Sequence, residues 1–186
     1  MDIYEHISQM KPFIASKDWD GLEREFGRRC REFAGVAQAE RISRISLSDY
    51  QSSLELSLSQ AVAKARAEGV RGLYFEYDLD NDWRSGFFFC STYLPESAGD
   101  DDWACDFTDS LSGPELPVLS EIYCENHFDR TPTALGSTLF LVARTVAAFG
   151  RASSGLAPPE FAVCMAFHDQ TPIMRICELD RDVEAS

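Results

Sequence analysis

The sequence lacks the short motifs by which many enzyme families are identified. It contains no G-x-S-x-G nucleophile turn, no Walker phosphate loop, no dinucleotide-binding glycine pattern and no H-E-x-x-H zinc motif. It has only three histidines, and its six cysteines form no C-x-x-C pair. We therefore predict a protein that is not an enzyme, with no catalytic residue, no bound metal and no cofactor.

The features of exported and membrane proteins are absent as well. The residues after Met1 contain no basic region followed by an apolar stretch of signal-peptide length. No apolar run approaches the roughly 20 residues that are needed to cross a bilayer. Most of the cysteines lie in apolar runs, where a free thiol behaves as a small core residue. These absences predict a soluble protein with reduced thiols, located in the cytoplasm.

Basic residues are scarce in the middle third of the chain. Residues 71–130 hold three arginines against fourteen acidic residues, whereas residues 1–70 hold ten basic and eleven acidic residues. The formal net charge of −14 is therefore concentrated in one segment. Such a segment repels nucleic acid and anionic membranes, and it attracts basic proteins or cations. The alternative is that the acidity only increases solubility.

The length and composition predict a single α+β domain over residues 1–186. With 186 residues and 45% hydrophobic content, the chain can bury a substantial core. We predict a helical part (1–70), an acidic hairpin with loops (71–130), and a helix followed by a C-terminal hairpin (131–186). The predicted helices cover residues 2–15, 18–34, 48–68, 117–126 and 133–151. The predicted strands cover residues 71–77, 86–93, 160–168 and 172–179, and form an antiparallel sheet of about four strands with helices packed on one face. Residues 35–46 and most of 94–130 are predicted to be connecting segments.

The first predicted hairpin carries an acidic loop with the opening spacing of a calcium loop. Asp78, Asp80 and Asp82 alternate along this loop. However, Trp83 stands where an EF-hand needs glycine, and Phe89 stands where it needs a bidentate glutamate. We therefore predict ordinary loop carboxylates here, with no calcium-binding EF-hand.

Two tryptophans follow acidic triplets and suggest a protein interface. Trp83 follows D-N-D and Trp103 follows D-D-D. An exposed tryptophan among carboxylates suits the binding of a basic partner, because the indole buries well and the acids steer the encounter. The alternative is that both indoles turn inward and cover the core. The predicted partner-binding residues are Asp78, Asp80, Asp82, Trp83, Asp100, Asp101, Asp102, Trp103 and Asp106. This hypothesis requires loops 78–82 and 100–106 to be neighbours at one edge of the sheet.

The segment Leu73–Phe107, with its Y-F-E-Y-D-L-D-N-D-W hairpin and D-D-D-W loop, resembles the immunity proteins of bacterial polymorphic and contact-dependent toxin systems. The helical N-terminal third and the helix-then-hairpin order of residues 133–179 are compatible with this resemblance. It implies a small cytoplasmic protein that binds and blocks a cognate toxin, often a basic nuclease, and that needs no catalytic residue.

Two other classes of function remain open at the level of sequence. The protein could be an adaptor or ligand-binding module whose apolar sheet face holds a peptide or a small molecule. It could also be an enzyme of another type, with a site around His168 and Asp169 together with Cys164 or Cys124. An apolar cleft favours the first of these, and a convergent site with perturbed titration favours the second.

Overall fold

The computed structural model describes residues 2–155 and 160–178. In this part of the chain the helices are α1 (Ile3–Ser8), α2 (Lys11–Ser16), α3 (Trp19–Ala34), α4 (Val36–Ser43), α5 (Ser48–Glu68), α6 (Pro117–Asn126) and α7 (Pro132–Ser154). The strands are β1 (Gly72–Tyr77), β2 (Ser85–Cys90), β3 (Phe107–Ser112), β4 (Ala162–Phe167) and β5 (Met174–Cys177). Short 3-10 helices cover Glu96–Ala98 and Asp102–Cys105. The predicted α+β class is confirmed. Leu179, the last residue of the final predicted strand, lies outside the described residues.

The sheet is mixed and has five strands in the order β3-β2-β1-β4-β5. Neighbouring strands are antiparallel except for the central pair, β1 and β4, which are parallel. The prediction of about four strands, all antiparallel, is therefore wrong in its detail. The two predicted hairpins exist, but α6 and α7 return the chain to the end of the sheet where β1 starts. A parallel pair needs a long crossover of this kind, and strand periodicity alone does not reveal the direction of the neighbouring strand.

Two elements were missed because their sequences bury little apolar surface. β3 lies at an edge of the sheet, and none of its six residues is fully buried. The alternation of apolar and polar residues that marks a half-buried strand is therefore absent. In α4, which lies in the segment predicted to be a connection, only Ala39 and Ile42 are buried. Two buried apolar residues in eight are too few to produce a helical period that can be recognised in the sequence.

α7 lies at the centre of the helical layer and packs most extensively on α3. By length and composition it could cross a membrane, with a mean hydropathy of 1.4 over 18 residues, contrary to our expectation that no such run occurs. However, 94% of that window is buried inside the protein. Gly150 allows a close approach, since a Cβ there would come within 2.5 Å of the Trp19 indole. α7 is therefore surrounded by the fold, as the core helix of a soluble protein is.

The sheet has two faces with different coverings. Its inner face, which includes Leu73, Phe75 and Phe87, packs against the helices in the main core. Its outer face carries a second, smaller apolar cluster, to which the segment after β2 (residues 91–106) contributes Trp103 and Ala104. The buried members of this outer cluster are Tyr74, Cys90, Trp103, Ala104, Ala162, Cys164, Ala166 and Ile173. The segment covers the outer face near the start of β1, while Glu76, near the end of β1, stays partly exposed.

Candidate functional site

Trp83 is a core residue. The loop between β1 and β2 is closed by a hydrogen bond from the Asp78 amide to the Arg84 carbonyl, and Asp82 and Trp83 both have positive φ, at 54° and 52°. This turn directs the indole inward, where it is fully buried against Tyr77 with ring centroids 5.4 Å apart. Its Nε1 donates a hydrogen bond to Thr145 Oγ1 of α7 at 3.0 Å. Trp83 therefore cannot contact a partner in this conformation.

Trp103 is buried on the opposite side of the sheet. Its indole, which is 4% exposed, covers the outer face over Gly72. It meets Tyr74 and Tyr93 edge-on, with centroid distances of 6.4 and 5.1 Å. The inward alternative is thus the one observed for both tryptophans. The physical reason is that each indole buries a large apolar surface, Trp83 in the main core and Trp103 in the outer cluster.

Asp101 is a structural residue within the D-D-D triplet. Its Oδ1 accepts a hydrogen bond from Arg175 Nη2 at 2.6 Å, and its Oδ2 accepts one from the Ile173 amide at 2.8 Å. The side chains of Arg175 and Asp101 are only 5% and 16% exposed. This ion pair joins the segment after β2 to β5. Asp101 therefore holds the covering segment in place and is not free to meet a partner.

The two acidic loops belong to opposite ends of the first hairpin. Loop 78–84 joins the end of β1 to the start of β2, whereas residues 91–106 follow the end of β2, which pairs with Gly72 at the start of β1. A six-residue strand spans about 20 Å. Within the second segment, Trp103 lies over Gly72 at the start of β1, whereas Asp101 reaches the Ile173 amide just before β5. That loops 78–82 and 100–106 are neighbours at one edge of the sheet stays a prediction.

The remaining acidic candidates are accessible. Asp80, Asp82, Asp100, Asp102 and Asp106 are exposed, and Asp78 is half-buried. The loop 78–82 adjoins an open part of the sheet, because Asp78 lines the groove there. Partner binding by these residues stays a prediction.

A groove opens on the outer face next to this loop. It has a volume of about 230 Å³ and is lined by Glu76, Tyr77, Asp78, Arg84, Ser85, Gly86, Phe88, Ser110, Leu111 and Ser112. Glu76 of β1 stands directly opposite Gly86 of β2 in the sheet register. Because Gly86 has no side chain, the Phe88 ring lies over it, 3.3 Å from where a Cβ would be. We call this site the outer groove. It combines carboxylates, serines and one aromatic ring.

A hydrogen-bonded chain of three side chains lies beside the outer groove. The Tyr74 hydroxyl donates to Glu76 Oε2 at 2.9 Å, and His168 Nδ1 lies 3.2 Å from Glu76 Oε1. Burial, together with the Glu76 carboxylate, raises the pKa of Tyr74, and the hydrogen bond with Glu76 raises the pKa of His168. Sequence analysis missed Glu76. Its i,i+2 spacing from Tyr74 places both on one face of a strand, but the contact with His168 depends on the parallel pairing of β1 with β4.

The proposed cysteine–histidine arrangement has little support in this geometry. Cys164 is fully buried, and burial raises the pKa of its thiol, which disfavours the thiolate. Cys124 is exposed on α6, and the hydrogen-bond partner of the His168 ring is Glu76 and not a cysteine. Within residues 2–155 and 160–178, no group of three or more His, Cys, Asp and Glu side chains is arranged to hold a metal ion.

No family model matches the chain, and comparisons with the curated proteins and with the solved structures find no match. Function is therefore inferred from the charge and geometry of this chain alone.

Proposed function

We propose that this protein is a stoichiometric protein-binding inhibitor, an immunity protein that neutralises a cognate basic bacterial toxin. The observation that supports this proposal most strongly is the meeting of two features at one end of the sheet. The loop between β1 and β2 exposes Asp80 and Asp82, and it adjoins the outer groove, which presents Glu76 and Asp78. Together they form a continuous acidic surface, which we call the groove face.

The electrostatics of the groove face favour a basic protein as the partner. Arg84, the only basic residue among those lining the outer groove, is paired with Glu115 at 3.1 Å. A field of one sign attracts an oppositely charged partner and increases the association rate at low salt. The same field disfavours nucleic acid and anionic membranes as ligands.

Apolar contact at this face is available without either tryptophan. Phe107 of β3 is 46% exposed, and its ring meets Phe88 edge-on with a centroid distance of 4.8 Å. Aromatic residues at the centre of an interface contribute much of the binding energy. In the proposed complex Phe88 and Phe107 therefore take the role that sequence analysis assigned to Trp83 and Trp103.

A second candidate function rests on the chain Tyr74–Glu76–His168. A histidine whose pKa is raised by a carboxylate is a group that can exchange protons near neutral pH, and the carboxylate concerned, Glu76, lines the outer groove. The same site could therefore serve an enzyme. Against this candidate, neither a nucleophile nor an oxyanion site adjoins the imidazole among the described contacts.

Co-expression with the product of the adjacent gene tests the proposal, since an immunity gene lies next to that of its toxin. We expect protection from toxicity, a 1:1 complex by analytical ultracentrifugation, and complete inhibition at one equivalent. Failure of the wild-type protein to bind or protect would contradict the proposal. Full protection at a small fraction of one equivalent would support the enzyme instead. The proposal includes a cytoplasmic location, supported by six free thiols. Alkylation under non-reducing denaturing conditions before mass spectrometry tests it, and paired cysteines would contradict this location.

A further inference from the structure

From the geometry of the outer groove we infer that it is a recognition pocket for a single arginine side chain of the basic partner, with the guanidinium lying on the Phe88 ring and bonding to Glu76 and Asp78. This inference rests on the proposed function for the identity of the partner. The chemistry of the pocket can be tested without that partner.

The size of the outer groove limits what it can hold. Pockets for small-molecule ligands usually have volumes of about 300–1,000 Å³, and this one has about 230 Å³. It lies on an open sheet face, so a ligand can enter directly from a surface that docks against it. A single side chain projecting from a partner fits this description better than a free metabolite or a peptide strand.

The aromatic wall suits a flat cation. The Phe88 ring is held on the outer face by Tyr74 and Phe107, with centroid distances of 6.0 and 4.8 Å. Gly86 leaves the strand surface next to that ring without a side chain. A guanidinium stacks on such a ring through both cation–π attraction and planar contact, and an ammonium gains only the first.

The carboxylates supply the charge and the direction. Glu76 is oriented at both oxygens, by the Tyr74 hydroxyl and by His168. Each of its oxygens retains a second lone pair, and a guanidinium can bond to both in the bidentate geometry that arginine prefers. Asp78 adds a second negative charge, and Ser110 and Ser112 of β3 line the groove as well. An anionic side chain is repelled from the same position.

Titration followed by NMR tests the pocket itself. The probe is N-acetyl-arginine amide, and the matched control is N-acetyl-citrulline amide, which has the same shape without the charge. We expect the arginine probe to shift the amide signals of Gly86 and Ser110 with saturable binding. The citrulline probe should leave them unchanged, and N-acetyl-lysine amide should bind several-fold more weakly. Equal responses to arginine and citrulline, or saturable shifts only at other sites, would overturn the inference.

Variants of the full chain connect the pocket to the partner. E76Q/D78N removes two charges with little change of shape, and E55Q/E121Q removes two charges from the exposed surfaces of α5 and α6. We expect the first to weaken partner binding about tenfold or more at physiological salt, and the second to change it less than about twofold. Phe88→Leu should also weaken binding while Glu76 and Asp78 remain. If wild type binds and protects but E76Q/D78N does so equally well, the pocket is wrong and the proposed function stands. If wild type does not bind, the proposed function fails, and the NMR titration still decides the chemistry of the pocket.

Discussion

The Trp103 indole lies against Gly72 so closely that a Cβ on the glycine would come within 2.8 Å of the ring. Gly72→Ala should therefore push the indole away from the outer face and lower the free energy of unfolding by about 1–3 kcal/mol. Urea denaturation measures this change. Gly155→Ala is the matched control, because no atom of residues 2–155 or 160–178 lies within 4 Å of the position of its Cβ, and it should change stability by less than about 1 kcal/mol. Equal midpoints for the two variants would refute the close packing.

Trp83 should behave as a stability residue and not as a binding residue. Trp83→Phe removes the hydrogen bond to Thr145 and leaves a small cavity, so the free energy of unfolding should fall by about 1–3 kcal/mol. The affinity of the folded variant for the proposed partner should remain within about twofold of wild type. Phe107→Ala, on the exposed surface, should give the converse result, with weaker binding and a loss of stability below about 1 kcal/mol. A stable Trp83→Phe variant that no longer binds would contradict the burial of this indole.

Neutralising the three consecutive aspartates should have unequal effects. Asp101→Asn leaves the Arg175 guanidinium buried without its counter-charge, so it should destabilise the protein by about 3 kcal/mol. Asp102→Asn, at an exposed position, should change stability by less than about 0.5 kcal/mol. Thermal unfolding at constant salt compares the two variants. The double variant Asp101→Ala/Arg175→Met should recover part of the loss, because it removes both charges together. A destabilisation by Asp101→Asn no larger than that by Asp102→Asn would show that the pair is solvated.

The contact between His168 and Glu76 makes a prediction about pH. Because the folded pKa of His168 is raised by the hydrogen bond to Glu76, with further contributions from Asp169 and Asp78, the folded state binds the proton more tightly than the unfolded state. The resulting stabilisation is fully present below the unfolded pKa of about 6.5 and is lost as pH rises through the folded pKa. Since the imidazole is 61% exposed, the effect should be below about 1 kcal/mol.

Titration of the His168 ring protons by NMR measures that pKa directly. In Glu76→Gln the pKa should fall towards its ordinary value, whereas Glu55→Gln should leave it unchanged. Protonated His168 also competes with a basic partner for Glu76, so partner affinity should be lower at pH 6 than at pH 8. Identical His168 titrations in all three proteins would show that the contact with Glu76 is absent in solution.

The parts of the fold that were predictable have strong local signals. In α3 the Asp18 side chain accepts a hydrogen bond from the Gly21 amide, as expected of an N-cap, and buried residues recur from Leu22 to Phe26 and Cys30. α5 ends at Gly69, whose φ of 66° is left-handed, as expected of a C-terminal glycine. The hairpin of β1 and β2 was predicted from aromatic runs separated by acidic and small residues. In each case the decisive contacts lie within a few residues of one another.

The candidate site was less predictable because its contacts are remote in sequence. The acidic loop was found from composition, but whether Trp83 faces in or out is decided by Thr145, a partner on another element. Nothing in the sequence marks Glu76 as part of a site, because only the parallel pairing of β1 with β4 brings His168 beside it. The interpretation of Asp101 changed for the same reason, since Arg175 lies on β5. A single sequence contains no signal for such pairings.

The parallel pairing of residues 72–77 with residues 162–167 has a consequence for the order of events during synthesis. As the chain leaves the ribosome, β1 and β2 are complete long before β4 appears, so one hydrogen-bonding edge of β1 stays open throughout the translation of α6 and α7. An open edge of this kind is prone to pair with other chains. The nascent protein also has no Glu76–His168 contact during that interval. The residues that line the outer groove are therefore translated well before His168, so the Glu76 carboxylate reaches its final hydrogen bonding only late in translation.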